Sequence, residues 1–202
     1  CNAGWLATVD WGTALSPIYV CSSNGMDINV FVSETRPRNQ GSSLTAWELK
    51  NQEVDHQVIA DNASGYLMQE GLIDAVIVGA DRITSTGDVC NKIGTYLKAI
   101  SCFENKIPFF VAAPISTIDW KENRHGKTIQ IEKRDESEIT SIIGRKLKHK
   151  NRVEEVVLVP ENTRAFNPAF DVTPSKYVSK IITEFGSYNP KGEGFKKLKN
   201  KK

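Results

Sequence analysis

The sequence predicts an α/β fold in which helices cover a parallel sheet. Two observations lead to this prediction. Strand-like apolar runs recur along the chain, and stretches with helical spacing or turn residues separate them. Such an alternation is typical of a parallel sheet flanked by helices. The apolar runs lie at residues 28–33, 57–60, 75–80, 108–113 and 156–159.

The composition is ordinary for a soluble globular protein. The chain has 202 residues, of which 40% are hydrophobic and 25% are charged, and this length predicts a single sizeable domain. No segment approaches the roughly 18 apolar residues that a membrane-spanning helix needs. The net charge is only +2, and much of the basic excess lies at residues 196–202. We therefore expect neither a membrane protein nor a nucleic-acid-binding protein.

Cysteine usage favours a reducing cytoplasm. Cys1, Cys21, Cys90 and Cys102 show no metal-ligand spacing, and no secretory signal is recognisable. The three histidines show no ligand spacing either, so no metal is implied. The sequence also contains neither a GxGxxG turn after its first strand nor a Walker lysine loop. We therefore expect no metal, dinucleotide or ATP cofactor.

Asp81 is the leading catalytic candidate. It follows the apolar run at 75–80, which is typical of a buried parallel strand. Ligands of open α/β sheets bind outside the carboxyl ends of the strands, and Gly79 and Ala80 are small enough to let a ligand approach. We expect Asp81 to be buried and to act as a proton donor. The alternative is a strand-end Asp that caps a turn and pairs with Arg82.

Cys1 is the second catalytic candidate. The segment Asn2-Ala3-Gly4 that follows it can present backbone amides to an anion. A thiol at that place can ionise and act as a base or a nucleophile. The alternative is a small buried hydrophobic residue, which is the role that we expect for the other three cysteines.

Two polar segments are candidates for ligand binding. Arg36 and Arg38 suit a phosphate, and Gln40 suits a hydroxyl group. Asn91 and Lys92, which we place at the start of a helix, suit a phosphate or a sugar. The alternatives are a solvated surface loop in the first case and ordinary exposed residues at a helix end in the second.

Residue spacing predicts three of the helices. One follows Thr45 as N-cap, with Glu48 three residues later in capping-box register. Apolar residues at steps of three or four predict an amphipathic helix over 89–105. A Thr-Pro pair predicts a last helix over 176–184.

Six motifs in this order closely resemble the methylthioribose-1-phosphate isomerase family. Their order and spacing match over nearly the whole chain to about Tyr188. The motifs are Cys1-Asn2-Ala3-Gly4, Glu34-Thr35-Arg36-Pro37 with Gln40-Gly41, Ala60-Asp61-Asn62, Val78-Gly79-Ala80-Asp81-Arg82, Asn91-Lys92-Ile93-Gly94-Thr95 and Phe170-Asp171-Val172-Thr173-Pro174.

The resemblance implies a Rossmann-like C-terminal catalytic domain at residues 1–188, followed by a basic tail at 189–202 that we expect to be disordered. That family shares a superfamily with ribose-1,5-bisphosphate isomerases and with the alpha, beta and delta regulatory subunits of translation initiation factor 2B. The resemblance to this family also suggests a homodimer.

The resemblance also implies the site and the reaction. Cys1 matches the family's active-site cysteine, Asp81 its catalytic acid, and Gln40, Asn91 and Lys92 its substrate-binding positions. The reaction converts a phosphorylated pentose, S-methyl-5-thioribose 1-phosphate, to S-methyl-5-thioribulose 1-phosphate in methionine salvage. No cofactor is implied.

The sequence departs from the family pattern in one large respect. Family members carry an N-terminal domain that supplies Arg and Gly contacts to the substrate phosphate, and this chain begins at Cys1. We therefore expect a fragment with impaired activity unless a separate N-terminal domain completes it. Ser43 also stands where the family's loop has an arginine. The alternatives are a non-catalytic assembly module related to initiation factor 2B, and a decayed gene fragment.

Overall fold

The computed structural model describes residues 3–8, 10–121, 129–148 and 152–201. Its centre contains two separate sheets with parallel strands. In the first sheet β1 pairs with β2 in parallel; in the second sheet β3, β6 and β11 run parallel, and β12 adds an antiparallel edge. These strands are β1 (Asn29–Ser33), β2 (Asp55–Ile59), β3 (Val76–Val78), β6 (Phe109–Ala112), β11 (Lys180–Thr183) and β12 (Gly186–Tyr188).

A third sheet follows directly from the end of β3. Its strand order is β10-β5-β4-β7, with antiparallel pairs except for the parallel pair of β4 and β7. A separate antiparallel hairpin joins β8 and β9. These strands are β4 (Arg82–Thr84), β5 (Val89–Lys92), β7 (Ile118–Asp119), β8 (Ser141–Arg145), β9 (Val153–Val157) and β10 (Phe170–Thr173).

Short helices connect the strands. A π-helical turn at Gly41–Thr45 continues without a break into the second α-helix. The α-helices are α1 (Ser16–Ser23), α2 (Ala46–Asn51), α3 (Ser64–Gln69), α4 (Thr95–Glu104), α5 (Ser137–Thr140) and α6 (Glu193–Lys197). Within the described part of the chain, no helix has both the length and the apolar character that crossing a membrane requires.

The main core lies between the second sheet and α4. Phe109, Val111 and Ile181 come from neighbouring strands, and Ala99 and Cys102 come from the helix; all five are fully buried. A smaller core around Leu15, Tyr19 and Leu49 packs beneath β1. Apolar burial of this kind is the main source of stability in such a fold.

The α/β class predicted from the sequence is confirmed. Four of the five predicted runs carry the strands β1, β2, β3 and β6. The fifth run, at 156–159, overlaps β9 only in part. It pairs with β8 in an antiparallel hairpin instead of joining the parallel sheet, and every residue of β9 is exposed.

One predicted helix is confirmed over only part of its length, and another is wrong. Residues 89–92 form β5, so the amphipathic helix begins only at Thr95. Hydrogen bonding of β5 to β4 and β10 outweighs the helical spacing there. The segment at 176–184 forms a 3-10 turn followed by β11, because its alternate residues pair with β6 in the core.

The predicted capping box is also wrong. Thr45 has helical backbone angles and makes no side-chain capping hydrogen bond, because the π-helical turn precedes it. Glu48 turns into the small core instead, where it is fully buried.

The end of the chain differs from the expected disordered tail. Beyond Tyr188 it forms α6 and a 3-10 turn at Leu198–Lys201. Phe195 is 0% exposed and Leu198 is 1% exposed, and the Phe195 ring lies 5.6 Å from the ring of Trp120. Two apolar side chains three residues apart therefore anchor a segment that is otherwise rich in Lys and Gly.

Candidate active site

A crevice opens between β1 of one parallel sheet and β3 of the other. β1 pairs with β2 and β3 pairs with β6, and we call the boundary between these two sheets the switch point. Ligands of doubly wound α/β folds bind at such switch points, outside the carboxyl ends of the strands. A cavity of about 610 Å³ lies here, and residues of both β1 and β3 line it.

The crevice brings together three of the predicted site residues. Gln40, Asn91 and Lys92 all line the cavity, although Gln40 is far from the other two in the sequence. Gln40 follows β1, whereas Asn91 and Lys92 lie on β5. The loop after β1 forms one wall of the crevice, and β5 forms the other. Each wall therefore contributes polar side chains to one space.

Asp81 lies beside the cavity. It follows Gly79, which lines the cavity, and precedes β4. Its backbone N–H donates to the carbonyl of Cys90 at 3.0 Å, which fixes the place where the chain leaves β3. The expectation of a buried carboxyl group is wrong, because Asp81 is exposed at the junction of the two sheets. Arg82 forms an ion pair with Asp119 through its guanidinium group.

A half-buried turn holds the loop that carries Gln40. The carboxylate of Asp61 accepts the backbone N–H of Thr35 at 2.9 Å and that of Arg36 at 2.6 Å. Thr35 has a φ of 64°, in the left-handed region. A Cβ atom at Gly41 would lie 1.7 Å from the carbonyl oxygen of Ser33, so only glycine allows the chain to pass there.

The two arginines of this loop are engaged away from the cavity. The guanidinium group of Arg36 donates to the carbonyl oxygens of Pro37 and Ile139 at 2.8 and 2.9 Å. Arg38 is exposed, and its Nε lies 3.8 Å from the carboxylate of Glu138. Neither arginine is among the described residues that line the cavity.

Asn91 presents an acceptor to the cavity. It is only 7% exposed, and its Nδ2 donates to the hydroxyl of Thr95 at 3.0 Å. Its Oδ1 is buried and finds no hydrogen-bond partner in the described structure. A buried polar atom without a partner is costly, so this oxygen suits a donor from a bound ligand.

Lys92 adds a half-buried cation beside it. Its Nζ lies 4.7 Å from the ring centroid of Phe170. Burial lowers the pKa of Lys92, the nearby guanidinium of Arg134 lowers it further, and the carboxylate of Asp81 acts in the opposite direction. The charge of Asp81 therefore acts on Lys92, which lines the cavity.

The N-terminus of α4 is occupied by Asp171. Its carboxylate accepts the backbone N–H of Gly94 at 2.7 Å and that of Tyr96 at 3.0 Å. Burial raises the pKa of Asp171, and these hydrogen bonds and Lys98 oppose the rise. An anion in the crevice must therefore rely on the side chains of β5 and not on the helix end.

Lys98 is a residue of the crevice that the sequence analysis missed. It lines the cavity, and its Nζ lies 3.9 Å from Oδ1 of Asp61. Burial lowers its pKa, whereas Asp61 and Asp171 raise it. The signal is present in the sequence, because Lys98 shares the buried stripe of α4 with Thr95 and Cys102. A lysine at such a position needs a partner.

Cys1 lies outside the described residues. The first described residue, Ala3, lines the same cavity as Gln40 and Asn91. The backbone carbonyl of Ala3 accepts the N–H of Leu15 at 2.9 Å, which ties the start of the chain to the small core.

The other cysteines fit the expected structural role. Cys90 and Cys102 are buried, and burial raises the pKa of Cys90 to about 11 and that of Cys102 to about 12. Cys21 is half-buried on α1. The described residues also contain no group of three or more His, Cys, Asp or Glu side chains that could hold a metal ion.

Comparison with known sequences matches residues 1–190 to the Initiation factor 2 subunit family. The methylthioribose-1-phosphate isomerase of Rhodospirillum rubrum is 58% identical over 186 residues, which are 92% of this chain and 47% of that protein. The Methylobacterium nodulans protein of the same name is 54% identical over 198 residues, or 98% of this chain and 54% of that protein.

Two solved structures share the fold. The 5-methylthioribose 1-phosphate isomerase of Pyrococcus horikoshii superimposes with a TM-score of 0.84 at 42% identity, covering all of this chain and 52% of that one. The translation initiation factor eIF-2B subunit delta of A. fulgidus gives a TM-score of 0.80 at 45% identity, covering 94% and 52%.

The chain spans about half the length of the curated relatives that it matches. The family match and the isomerase relatives confirm the resemblance that the six motifs indicate, and the structural matches confirm the fold. The chain therefore belongs to the Initiation factor 2 subunit family, and the relatives described above place it beside the methylthioribose-1-phosphate isomerases.

Proposed function

We propose that residues 1–188 form the Rossmann-like catalytic half of an aldose–ketose isomerase. Its substrate is S-methyl-5-thioribose 1-phosphate, and its product is S-methyl-5-thioribulose 1-phosphate. The observation that carries this proposal is the crevice at the switch point, where Gln40, Asn91 and Lys92 line one cavity. Relatives that carry this name at 58% and 54% identity support it.

The substrate poses a specific chemical problem. The phosphate on the anomeric carbon locks the ring, so no free aldehyde is present. A proton must reach the ring oxygen while its bond to C1 breaks. The C2 hydrogen then moves to C1, and the C2 hydroxyl loses its proton to become the product carbonyl. This sequence needs an acid, a route for the hydrogen and a site for the phosphate.

Asp81 is the proposed acid. It lies two residues after Gly79, which lines the cavity and where a sugar can approach the backbone. Cys1 is the proposed partner for the hydrogen transfer. It either takes the hydrogen as a proton through an enolate or stabilises a direct hydride shift, and both routes balance the same reaction.

The cavity residues are the proposed binding groups. The Oδ1 atom of Asn91 can accept a sugar hydroxyl, and the amide of Gln40 can bind another. Lys92 offers its ammonium group to the phosphate. The proposal therefore assigns a separate task to each polar side chain that the two walls contribute.

The relatives are about twice as long as this chain, and the proposal includes the half that this chain does not match. We propose that residues of such an N-terminal domain supply further phosphate contacts. Each charge-assisted hydrogen bond of this kind contributes about 1.5 to 3 kcal/mol, so the chain alone binds the substrate weakly. We further propose a homodimer that works in the cytoplasm.

The test is turnover of methylthioribose 1-phosphate by this chain, alone and mixed with the N-terminal half of the Rhodospirillum rubrum relative. The proposal expects ketose formation at least in the mixture. A folded chain that binds that half and yields no ketose would refute it.

A second candidate is a non-catalytic subunit or assembly module. The similarity to the A. fulgidus initiation factor subunit, at 45% identity and a TM-score of 0.80, favours it. This candidate expects stable association with a second copy or a related subunit and no turnover. The two candidates therefore separate in the same experiment when assembly is measured alongside ketose formation.

A further inference from the structure

One ion pair crosses the crevice. Lys98 lies on α4, which follows β5, whereas Asp61 follows β2 on the opposite side of the switch point. Their Nζ and Oδ1 atoms are 3.9 Å apart, and both residues line the cavity. The exposed fraction of the Lys98 side chain is 16%, so solvent screens this pair less than an ordinary surface pair.

Asp61 fixes the wall that carries Gln40. Its two carboxylate oxygens accept the backbone N–H groups of Thr35 and Arg36. Those residues begin the loop that ends at Gln40, and Thr35 adopts a left-handed φ that needs such support. A shift of the Asp61 carboxylate would therefore move the loop.

Asp171 fixes the other wall in the same way. It accepts the N–H groups of Gly94 and Tyr96, immediately after Asn91 and Lys92. Lys98 acts electrostatically on this carboxylate too. A Cβ atom placed on Gly94 would lie 3.6 Å from the Lys98 Nζ, so the ammonium group is next to this turn.

We propose that Lys98 is a positioning residue that couples the two walls of the crevice through Asp61 and Asp171. One ammonium group attracts two carboxylates, each of which holds the backbone of a different binding segment. In this way Lys98 sets the spacing between Gln40 on one wall and Asn91 on the other. The kinetic part of this inference rests on the proposed isomerase function, whereas the coupling itself does not.

The physical reason is the charge balance of the crevice. Lys98 lies 3.9 Å from the Asp61 carboxylate and lowers the pKa of Asp171, which burial raises. Without this ammonium group, burial would disfavour the charged form of Asp171 more strongly. A protonated carboxyl group accepts backbone hydrogen bonds less strongly than a carboxylate. The turn that it holds would then open more often.

The first test is amide hydrogen exchange of the whole chain, measured residue by residue by NMR. Lys98→Met removes the charge and keeps the length of the side chain. We expect the amides of Thr35 and Gly94 to exchange about 10-fold faster, which corresponds to about 1.4 kcal/mol. Lys50→Met, an exposed lysine on α2, is the matched control and should change neither amide. Unchanged exchange in Lys98→Met would overturn the proposal.

A second variant tests the coupling from the opposite wall. Asp61→Asn weakens the ion pair without touching α4. With Asp61 uncharged, Lys98 acts on Asp171 alone, so the proposal expects slower exchange at Gly94 and Tyr96, which Asp171 holds. If Asp61→Asn changes exchange only at Thr35 and Arg36, the two turns are independent and the coupling is overturned. This result decides the question even if Lys98→Met does not fold.

Kinetics of the active assembly separate positioning from direct phosphate binding. Lys98→Met should lower kcat as well as raise KM, and Lys98→Arg should restore part of both, because it keeps the charge between the carboxylates. A variant with unchanged amide exchange that only loses affinity for inorganic phosphate would show a direct ligand and overturn the proposal. If the unmodified protein has no turnover, the exchange experiments still decide whether the walls are coupled.

Discussion

The carboxylate of Glu48 accepts the backbone N–H of Trp5 at 2.8 Å, 43 residues away in the sequence. The same group accepts the hydroxyl of Tyr19 at 3.0 Å, and it is fully buried. Burial, followed by the hydrogen bond to Glu48, raises the pKa of Tyr19, so this hydroxyl stays a donor. A Cβ on Gly4 would collide with Glu48, and glycine there allows the contact. Glu48 therefore anchors Trp5 and Leu6 near the start of the chain.

Glu48→Gln should destabilise the fold. The amide keeps the shape of the side chain and loses the charge that strengthens its hydrogen bonds to the chain start. We expect a loss of about 1.5 to 3 kcal/mol in the free energy of unfolding, measured by urea denaturation. Glu104→Gln, an exposed position at the end of α4, is the control. Equal stabilities of the two variants would contradict the anchoring role.

Asp81→Asn should abolish isomerase turnover and leave folding intact. The amide cannot donate the proton that ring opening requires, and the side chain is exposed, so the core does not depend on it. We expect a fall in kcat of at least about 100-fold, measured on the active assembly. Asp55→Asn, an exposed carboxylate on β2, should keep full activity. Retained turnover by Asp81→Asn would remove Asp81 from the mechanism.

Phe195→Ala should destabilise the domain strongly. The ring is fully buried against the main core, and its removal leaves a cavity. Such a truncation costs about 3 to 5 kcal/mol, and a urea denaturation curve measures it. Lys197→Ala, on the same helix and exposed, should have little effect. Equal unfolding midpoints for the two variants would show that the tail does not belong to the core.

The thiols of Cys90 and Cys102 should resist alkylation at pH 8. Burial raises the pKa of these thiols to about 11 and about 12, from an ordinary value of 9.0, so almost no thiolate is present. Because the folded state keeps these protons to higher pH, the stability they contribute is complete below about pH 9 and falls as the pH rises toward 11. Mass spectrometry after iodoacetamide treatment checks this, with urea-unfolded protein as the positive control. Labelling of either cysteine in the native state would contradict it.

The elements that follow from the sequence are those in which local pattern and tertiary environment agree. The apolar run before Asp81 becomes β3, and the run at 108–113 becomes β6, because both lie in the core of the parallel sheet. Gln40, Asn91 and Lys92 reach one cavity because each follows or lies on a strand near the switch point. Their separation in the sequence does not predict their distance in space, because that distance depends on the order of the strands.

The elements that do not follow from the sequence depend on distant partners. Val89 and Ile93 fit a helical stripe, yet pairing of Asn91 with Asp171 makes this segment a strand. Glu48 has the spacing of a capping box, but its hydrogen-bond partner is the backbone N–H of Trp5 near the start of the chain. In each case a long-range hydrogen bond outweighs the local spacing.

The most direct test of the account is the location of the bound sugar phosphate. The isotope-labelled chain, bound to the unlabelled N-terminal half that completes the active assembly, is titrated with methylthioribose 1-phosphate, and NMR amide shifts report the location residue by residue. The account predicts that the largest shifts fall at Gln40, Asn91 and Lys92, on both walls of the crevice. Shifts confined to another surface, or none at concentrations that support turnover by the active assembly, would contradict it.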